Sequence, residues 1–585
     1  MTGIDFAQMK IKNLLRNMRN NPLLWKYNRL LICMVSFTMF INLSCGSDQA
    51  VKAPADVVIA KSPEEIEEKI EEQLKQSIDF ILNNGDKMKD STVIPHIDAL
   101  NKVYTSGAYQ PLWSDKGNWL PRGDSLFFLV SKAKEFGLFP SDYHLLPLLA
   151  IRNKIVTDTV ARKNVALWAR ADLLLSDAYL LMASHLKYGH FDRDSITVSN
   201  DSLFNTTKQV DVLKNGIVQG QLRSTLESLE PVHQGYKQIR ELLPRFLDTA
   251  QFREYTIITF PNPDSTAVYG EVAKRLQEAG LLAADWNPAD SATYTKAVKT
   301  YQQANGIRTT GVAAELTIKS LNNTDWEKFK RIAITLDRYR QQIPEHMPET
   351  FVWVNLPAYQ LTVVDTDTVV MQSKIIVGAV KTRTPVLSSE ITNFITYPQW
   401  TVPYSIIFKE MLPKIQEDIT YLEKQNLMVV DKYDSVVNPA EVEWNKVTRN
   451  NFPYLIRQRQ GDDNSLGLMK FNFRNKYAVY LHDTNARGLF GKKDRALSHG
   501  CVRVQEWEKL SRFLVRNDEI RYNPDTIKAW IGRQEKHIIS DFARVPIYIR
   551  YFTIEAKDDK LRFFDDIYGE DRFLADRYFK SKPIS

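Results

Sequence analysis

The stretch Ser498-His499-Gly500-Cys501-Val502-Arg503, SHGCVR, holds one of only three cysteines in 585 residues, and its reading decides what kind of domain surrounds it. A cysteine nucleophile acts as thiolate, and an unperturbed thiol with a pKa of about 8.5 is mostly protonated at neutral pH, so it needs a base or cations close by. His499 precedes Cys501 by two residues and Arg503 follows it by two; His482 closes the run Tyr477-Ala478-Val479-Tyr480-Leu481, which reads as a strand. Gly500 permits a close backbone approach or an unusual backbone angle just before the sulfur, and amides around Cys501 can hold an oxyanion. These are the parts of an acyl-transfer site. Two other readings of the same residues stay open at this level. One is a buried cysteine with two surface histidines; the other is a zinc site of Cys501, His482 and His499, which lacks an evident fourth ligand and the common structural spacings.

The other two cysteines lie near the N-terminus. A basic segment ending at Arg29 leads into the apolar run Leu30-Leu31-Ile32-Cys33-Met34-Val35-Ser36-Phe37-Thr38-Met39-Phe40-Ile41, shorter than the roughly 20 residues of a spanning helix. Asn42-Leu43-Ser44-Cys45-Gly46-Ser47 follows, similar to a bacterial lipoprotein cleavage site with Cys45 as the lipidated residue and Asn42 where that pattern usually has Leu. An uncleaved inner-membrane anchor is the alternative; either places the rest of the chain in the periplasm of a diderm bacterium, held to the membrane. With Cys33 removed and Cys45 acylated, Cys501 is left as a lone thiol in an exported protein, the pattern of a reactive cysteine. The formal charge of +7 shrinks to about +2 without Lys10, Lys12, Arg16, Arg19, Lys26, Arg29 and Asp5, which argues against a nucleic-acid partner.

Outward from the motif, the chain is long enough for several domains. Residues 46–85 read as a tether followed by an amphipathic helix, with Ser62-Pro63-Glu64-Glu65 as its cap and Ile66, Ile70, Leu74 and Ile78 on one face. Residues 86–255 carry apolar residues at helical spacing and read as a helical scaffold in which Trp113, Phe139 and Tyr143 pack a core. Residues 256–323 hold three short helices and a glycine turn, and Asp325 to Gln342, within 324–350, returns to helix, so the small unit is inserted into the scaffold. From Phe351 the period becomes two: Phe351-Val352-Trp353-Val354-Asn355, Tyr359 to Val364, Val369 to Val377 and Phe394 to Tyr397 are strands. The strand-rich unit spans 351–515, with a mixed segment of about 408–466 that reads as a lid, and 516–585 extends it through a strand at Val545 to Phe552. The fold class is α+β, multidomain.

His482-Asp483-Thr484, followed at a distance by Ser498-His499-Gly500-Cys501-Val502-Arg503, resembles the signature of the L,D-transpeptidases with their YkuD-type, mainly-β catalytic fold. Asn355-Leu356-Pro357-Ala358-Tyr359, Ile376-Val377-Gly378, Thr384-Pro385 and Pro398-Gln399-Trp400-Thr401-Val402-Pro403 extend the likeness to the larger periplasmic members, which also carry a scaffold, a lid and a peptidoglycan-binding module. Asp483 stands where many relatives have Gly. The small unit is similar to such a module through Tyr301-Gln302, Gly306-Ile307 and Thr310-Gly311-Val312, with Thr310 where Asp is usual. The resemblance implies Cys501 as nucleophile, His482 as general base with His499 as the other candidate, and Ser498 and His499 orienting the site. It further implies Gly500 and Cys501 amides at the oxyanion, Arg503 on substrate or loop, and Tyr397 and Trp400 along the donor groove. Its partners are peptidoglycan stem peptides: a tetrapeptide donor loses D-Ala to a thioester, and the amine of a neighbouring diamino acid takes the acyl group as a 3-3 cross-link. No metal or cofactor enters. Water or a protein amine as acceptor, giving an L,D-carboxypeptidase or a protein-anchoring transferase, and a non-catalytic wall-binding protein remain alternatives. A papain-like protease requires a histidine far downstream, where only His537 stands.

Overall fold

Ser62 starts the first long helix, Pro63–Asn83, by accepting the Glu65 amide on its hydroxyl at 3.3 Å. Ile66, Ile70, Leu74 and Ile78 are all buried on one face, against the central helix Val165–Tyr188. That central helix is apolar almost all round because it is enclosed almost all round. The computed structural model describes residues 52–191, 205–518, 520–580 and 582. The expectations at Cys33 and Cys45, and the basic residues before them, lie outside these residues. Among the described residues no helix is long and apolar enough to cross a membrane. The end of the tether stretch docks on the scaffold: the Val58 amide donates to Asn164 Oδ1 at 2.9 Å, the Ala60 amide to the Lys163 carbonyl at 2.9 Å, and Ala60 is fully buried. Trp113, Phe139 and Tyr143 are buried too.

Helices Ser265–Glu278, Ser291–Ala304 and Glu315–Asn322 enclose a separate small core of Val272, Leu276, Val298, Ile318 and Leu321. Buried Gln302 closes its turn, accepting the Thr310 and Gly311 amides at 2.8 and 2.9 Å and donating to the Val312 carbonyl at 2.9 Å. Gly311 sits at φ +78°, a conformation that favours glycine. The helix Asp325–Gln342, capped by Thr324, then runs between the scaffold and the strands.

The strands are β1 (Thr350–Asn355), β2 (Gln360–Asp365), β3 (Thr368–Gly378), β4 (Leu387–Thr396), β5 (Met469–Phe473), β6 (Leu481–His482), β7 (Ala496–Ser498), β8 (Val502–Val504), β9 (Ile538–Ile539) and β10 (Val545–Arg550). Pairing runs β5-β6-β8-β3-β2-β1-β10-β4 and returns from β4 to β5, so the sheet closes on itself, with β7 beside β3 and β9 beside β4. Only β6–β8, β7–β3 and β10–β1 are parallel. Val352, Val354, Leu361, Ile375, Phe471, Leu481, Val502, Val504 and Ile547 fill the interior. Phe351, Trp353 and Tyr548 point the other way and are covered by the return helix, whose Tyr339 ring stacks on Phe552 with centroids 4.2 Å apart. Both faces of β1 are therefore buried, which explains its unbroken apolar reading.

Between β4 and β5 the chain builds a second layer of its own. Trp400–Thr401, Leu455–Gln458, Leu427–Val430 and Val436–Val437 pair in that order as an antiparallel sheet, over a core of Val402, Ile407, Val429, Ile456, Trp444 and Phe452. Two local readings differ from the sequence expectation. The strand at Tyr477 to Leu481 shrinks to Leu481–His482, because the Asn475 side chain captures the Tyr477 and Val479 amides at 3.0 Å each and Ala478 adopts φ +55°. Met469–Phe473, where no strand was expected, pairs along its whole length with β4 and through Lys470 and Phe471 with β6.

Candidate active site

Strand alternation sorts the residues around Cys501. Leu481, Val502 and Val504 face the interior, so Tyr480 and His482 share the opposite face with Cys501 and Arg503. Register then sets the neighbours: Lys470 of β5 lies opposite His482 of β6, and His482 lies opposite Arg503 of β8. The Val502 amide donates to the Tyr480 carbonyl at 3.1 Å, which brings Cys501 alongside Tyr480. The sulfur stands 4.0 Å from the Ala478 carbonyl, placed there by the Asn475 turn, with the Tyr480 hydroxyl also against it. Tyr480 in turn carries the Lys470 ammonium over its ring, 4.2 Å from the centroid.

Burial pushes the Cys501 thiol above its ordinary value, opposed by contact with Tyr480 and by the charges of Lys470 and Arg503. His482 is buried and its pKa falls to about 3, first from desolvation and then from the Arg503 charge, with Lys470 adding to it. The resting site is thus a neutral thiol beside a neutral imidazole. Among the described residues His482 Nδ1 is buried without a hydrogen-bond partner, and no hydrogen bond joins Cys501 to either histidine in this state.

His499 is engaged by the insertion and forms no hydrogen bond to the sulfur. Its Nε2 lies 2.9 Å from Glu410 Oε1 in the insertion, so His499, His482 and Cys501 do not converge; among the described residues no group of three His, Cys, Asp or Glu side chains is placed to hold a metal ion. Ser498 is buried and works within the loop: its hydroxyl donates to the Cys501 carbonyl at 2.6 Å and accepts the Gly500 amide at 3.1 Å. The Gly500 amide is therefore occupied, whereas among the described residues no acceptor takes the Cys501 amide. Gly500 itself sits at φ +117°, which a side chain would strain. Thr384 braces the loop from below, its hydroxyl donating to the Gly500 carbonyl and accepting the Gly378 amide, both at 2.8 Å. Tyr568, from the C-terminal extension, donates to the Gly378 carbonyl at 2.7 Å.

Asp483 fastens the segment after His482. Its buried carboxylate accepts the Leu468 amide and Arg487 Nη2, both at 2.9 Å. Of the two aromatic candidates, Trp400 borders Tyr480, while Tyr397 is buried at the root of the insertion, held by its amide to the Leu468 carbonyl at 2.9 Å. Lys470 and Tyr480 escape sequence reasoning as site residues; the one signal for them is the alternation that puts Tyr480 on the His482 face.

Two family models match: residues 98–243 fit a scaffold domain and residues 349–521 an L,D-transpeptidase catalytic domain. A curated protein of Haemophilus influenzae, provisionally named an L,D-transpeptidase, is 37% identical over 224 residues, 38% of this chain and 44% of that protein. The chain thus spans less than half the length of that relative. Partial likeness extends to the crystal structure of L,D-transpeptidase 1 of Mycobacterium tuberculosis, at 12% identity over 34% of this chain and 61% of that one, TM-score 0.14. It extends also to an L,D-transpeptidase of Stackebrandtia nassauensis, at 16% identity over 48% and 90%, TM-score 0.15.

Proposed function

We propose, from the premise that residues 349–521 belong to the L,D-transpeptidase catalytic-domain family, that this protein is a cysteine acyltransferase forming 3-3 cross-links between peptidoglycan stem peptides. The observation that carries the reading is Cys501 on one sheet face with a neutral imidazole whose Nδ1 has no partner, and two cations. His482 takes the Sγ proton as Sγ attacks the carbonyl between the diamino acid and the terminal D-Ala of a tetrapeptide. The oxyanion is held by the free Cys501 amide and the Tyr480 hydroxyl. Collapse breaks the C–N bond, His482 returns its proton to the leaving D-Ala amine, and a thioester remains. The side-chain amine of a second stem then attacks, losing its proton to His482, and Sγ departs. Ser498 and Gly500 act by shaping the loop rather than by touching the substrate, Arg503 faces the donor, Trp400 walls the groove, and His499 reports the position of the insertion through Glu410.

The deciding experiment incubates the full chain with purified tetrapeptide muropeptides and follows products by mass spectrometry. A dimer lighter by one D-Ala, absent with Cys501→Ala, is the expected product. Monomer that loses D-Ala without dimer would replace the acceptor amine by water, and unchanged muropeptides with intact wall binding would remove the enzymatic reading.

A further inference from the structure

Lys470 and Arg503 flank Cys501 as cations without an anion. Both are half-buried in one row across β5, β6 and β8, with His482 between them. Desolvation weakens the protonated form of each, and the acidic group acting on either is the Cys501 thiol. Among the described residues neither side chain forms an ion pair or a side-chain hydrogen bond, and Arg503 Nε is a buried donor with no acceptor. Half-burying two cations without a counter-ion is unfavourable unless a ligand supplies one. The thiol is not that counter-ion at rest, because burial keeps it protonated in spite of them.

We propose that Lys470 and Arg503 form a receptor for the free carboxylate of the residue that leaves the donor, making Lys470 a specificity-determining residue. This rests on the acyl-transfer reading above. With the scissile carbonyl carbon at Sγ, a terminal carboxylate on the next residue lies about one residue's length away, roughly 3.8 Å, within the range over which both cations already act on the sulfur. A donor that continues past that residue, or ends in an amide, brings no charge and leaves the two cations unanswered. The Lys470 ammonium, fixed over the Tyr480 ring, and the forked Arg503 guanidinium suit a planar two-oxygen anion. The stem offers a competing source of the same chemistry in the second carboxylate of a diaminopimelate residue.

The test measures thioester formation by intact mass in single turnover, using the full chain and three tetrapeptide donors: free D-Ala carboxylate, the C-terminal carboxamide, and a donor whose diaminopimelate carboxylate alone is amidated. The wild type should acylate with the free acid roughly 30-fold faster than with the carboxamide, the loss of a charge-assisted contact, and should be little affected by the diaminopimelate amide. Lys470→Met should collapse that preference below about fivefold, chiefly through KM, while Lys470→Arg restores it; an unchanged urea midpoint reports that the variant is folded. Equal use of free acid and carboxamide by the wild type, a preference that follows the diaminopimelate carboxylate, or a Lys470→Met defect identical on all donors would each overturn the assignment. If the wild type forms no thioester with any donor, the acyl-transfer reading fails first.

Discussion

Cys501 and His482 are both kept uncharged by removal from water, and Arg503 and Lys470 act on them in opposite senses, easing ionisation of the thiol while discouraging protonation of the ring. Proton transfer within such a pair starts from two neutral groups. Replacing His482 by Gln keeps the volume and removes the base, so transfer should fall by roughly 10²–10⁴-fold while Cys501 still reacts slowly with iodoacetamide. The ring also links stability to pH. Its pKa is about 3 folded and about 6.5 unfolded, so the unfolded chain takes up a proton that the fold refuses. Its contribution is complete above pH 6.5 and is lost as pH falls from there towards 3. Urea denaturation of wild type and His482→Gln at pH 7.5, 6 and 5 should show the wild type losing ground to the variant, by up to about 1.4 kcal/mol per pH unit. A difference that stays flat would mean that the ring takes up its proton in the fold as readily as in the unfolded chain.

At the level of elements, the segment from β7 to β8 owes its shape to polar groups turned inward. Ser498 binds the backbone on both sides of Gly500, and Thr384, from the connection between β3 and β4, joins Gly378 to Gly500 from below. Thr384→Val preserves shape and strands a buried amide and a buried carbonyl, each costing roughly 1–3 kcal/mol. The expected result is a lower urea midpoint together with at least a tenfold drop in thioester formation. Wild-type turnover in a destabilised variant would show that the brace serves the fold alone. The same segment marks a limit of local reading. Gly500 as a special backbone position is visible in the motif, but the motif cannot reveal that its amide faces Ser498 while the Cys501 amide stays free. The expected strand before His482 yields to the Asn475 turn because a side-chain oxygen competes with the ladder for the same amides. In return, that turn brings the Ala478 carbonyl towards the sulfur.

Across the whole molecule, the scaffold and the strand-rich unit share one core through the return helix Asp325–Gln342, where Phe329 and Tyr339 meet Trp353, Tyr548 and Phe552. A buried ionic knot pins this seam. Asp571 of the C-terminal extension pairs with Arg338 of the return helix and accepts the Thr553 hydroxyl, and Arg338 Nη1 also donates to the Tyr551 carbonyl at 3.1 Å. Asp571→Ala would leave Arg338 buried and unpaired, at a cost of about 3–5 kcal/mol. Denaturation should then show a lower midpoint or a split transition as the scaffold separates; an unchanged midpoint would mean that the aromatic seam alone holds the two parts together.

Local chemistry carried a good part of this reading. The Ser62 cap and its apolar stripe, the change of period at Phe351 and the SHGCVR motif are written in adjacent residues, because capping, amphipathicity and loop geometry depend on neighbours only a few positions away. Lys470 beside His482, Tyr480 against the sulfur, His499 bonded to Glu410 and Asp571 beneath Arg338 were decided only by tertiary structure. Each depends on sheet register or on a contact across a long span of chain, up to 233 residues for Arg338 and Asp571, and a cross-strand partner leaves no periodic trace in the sequence around it.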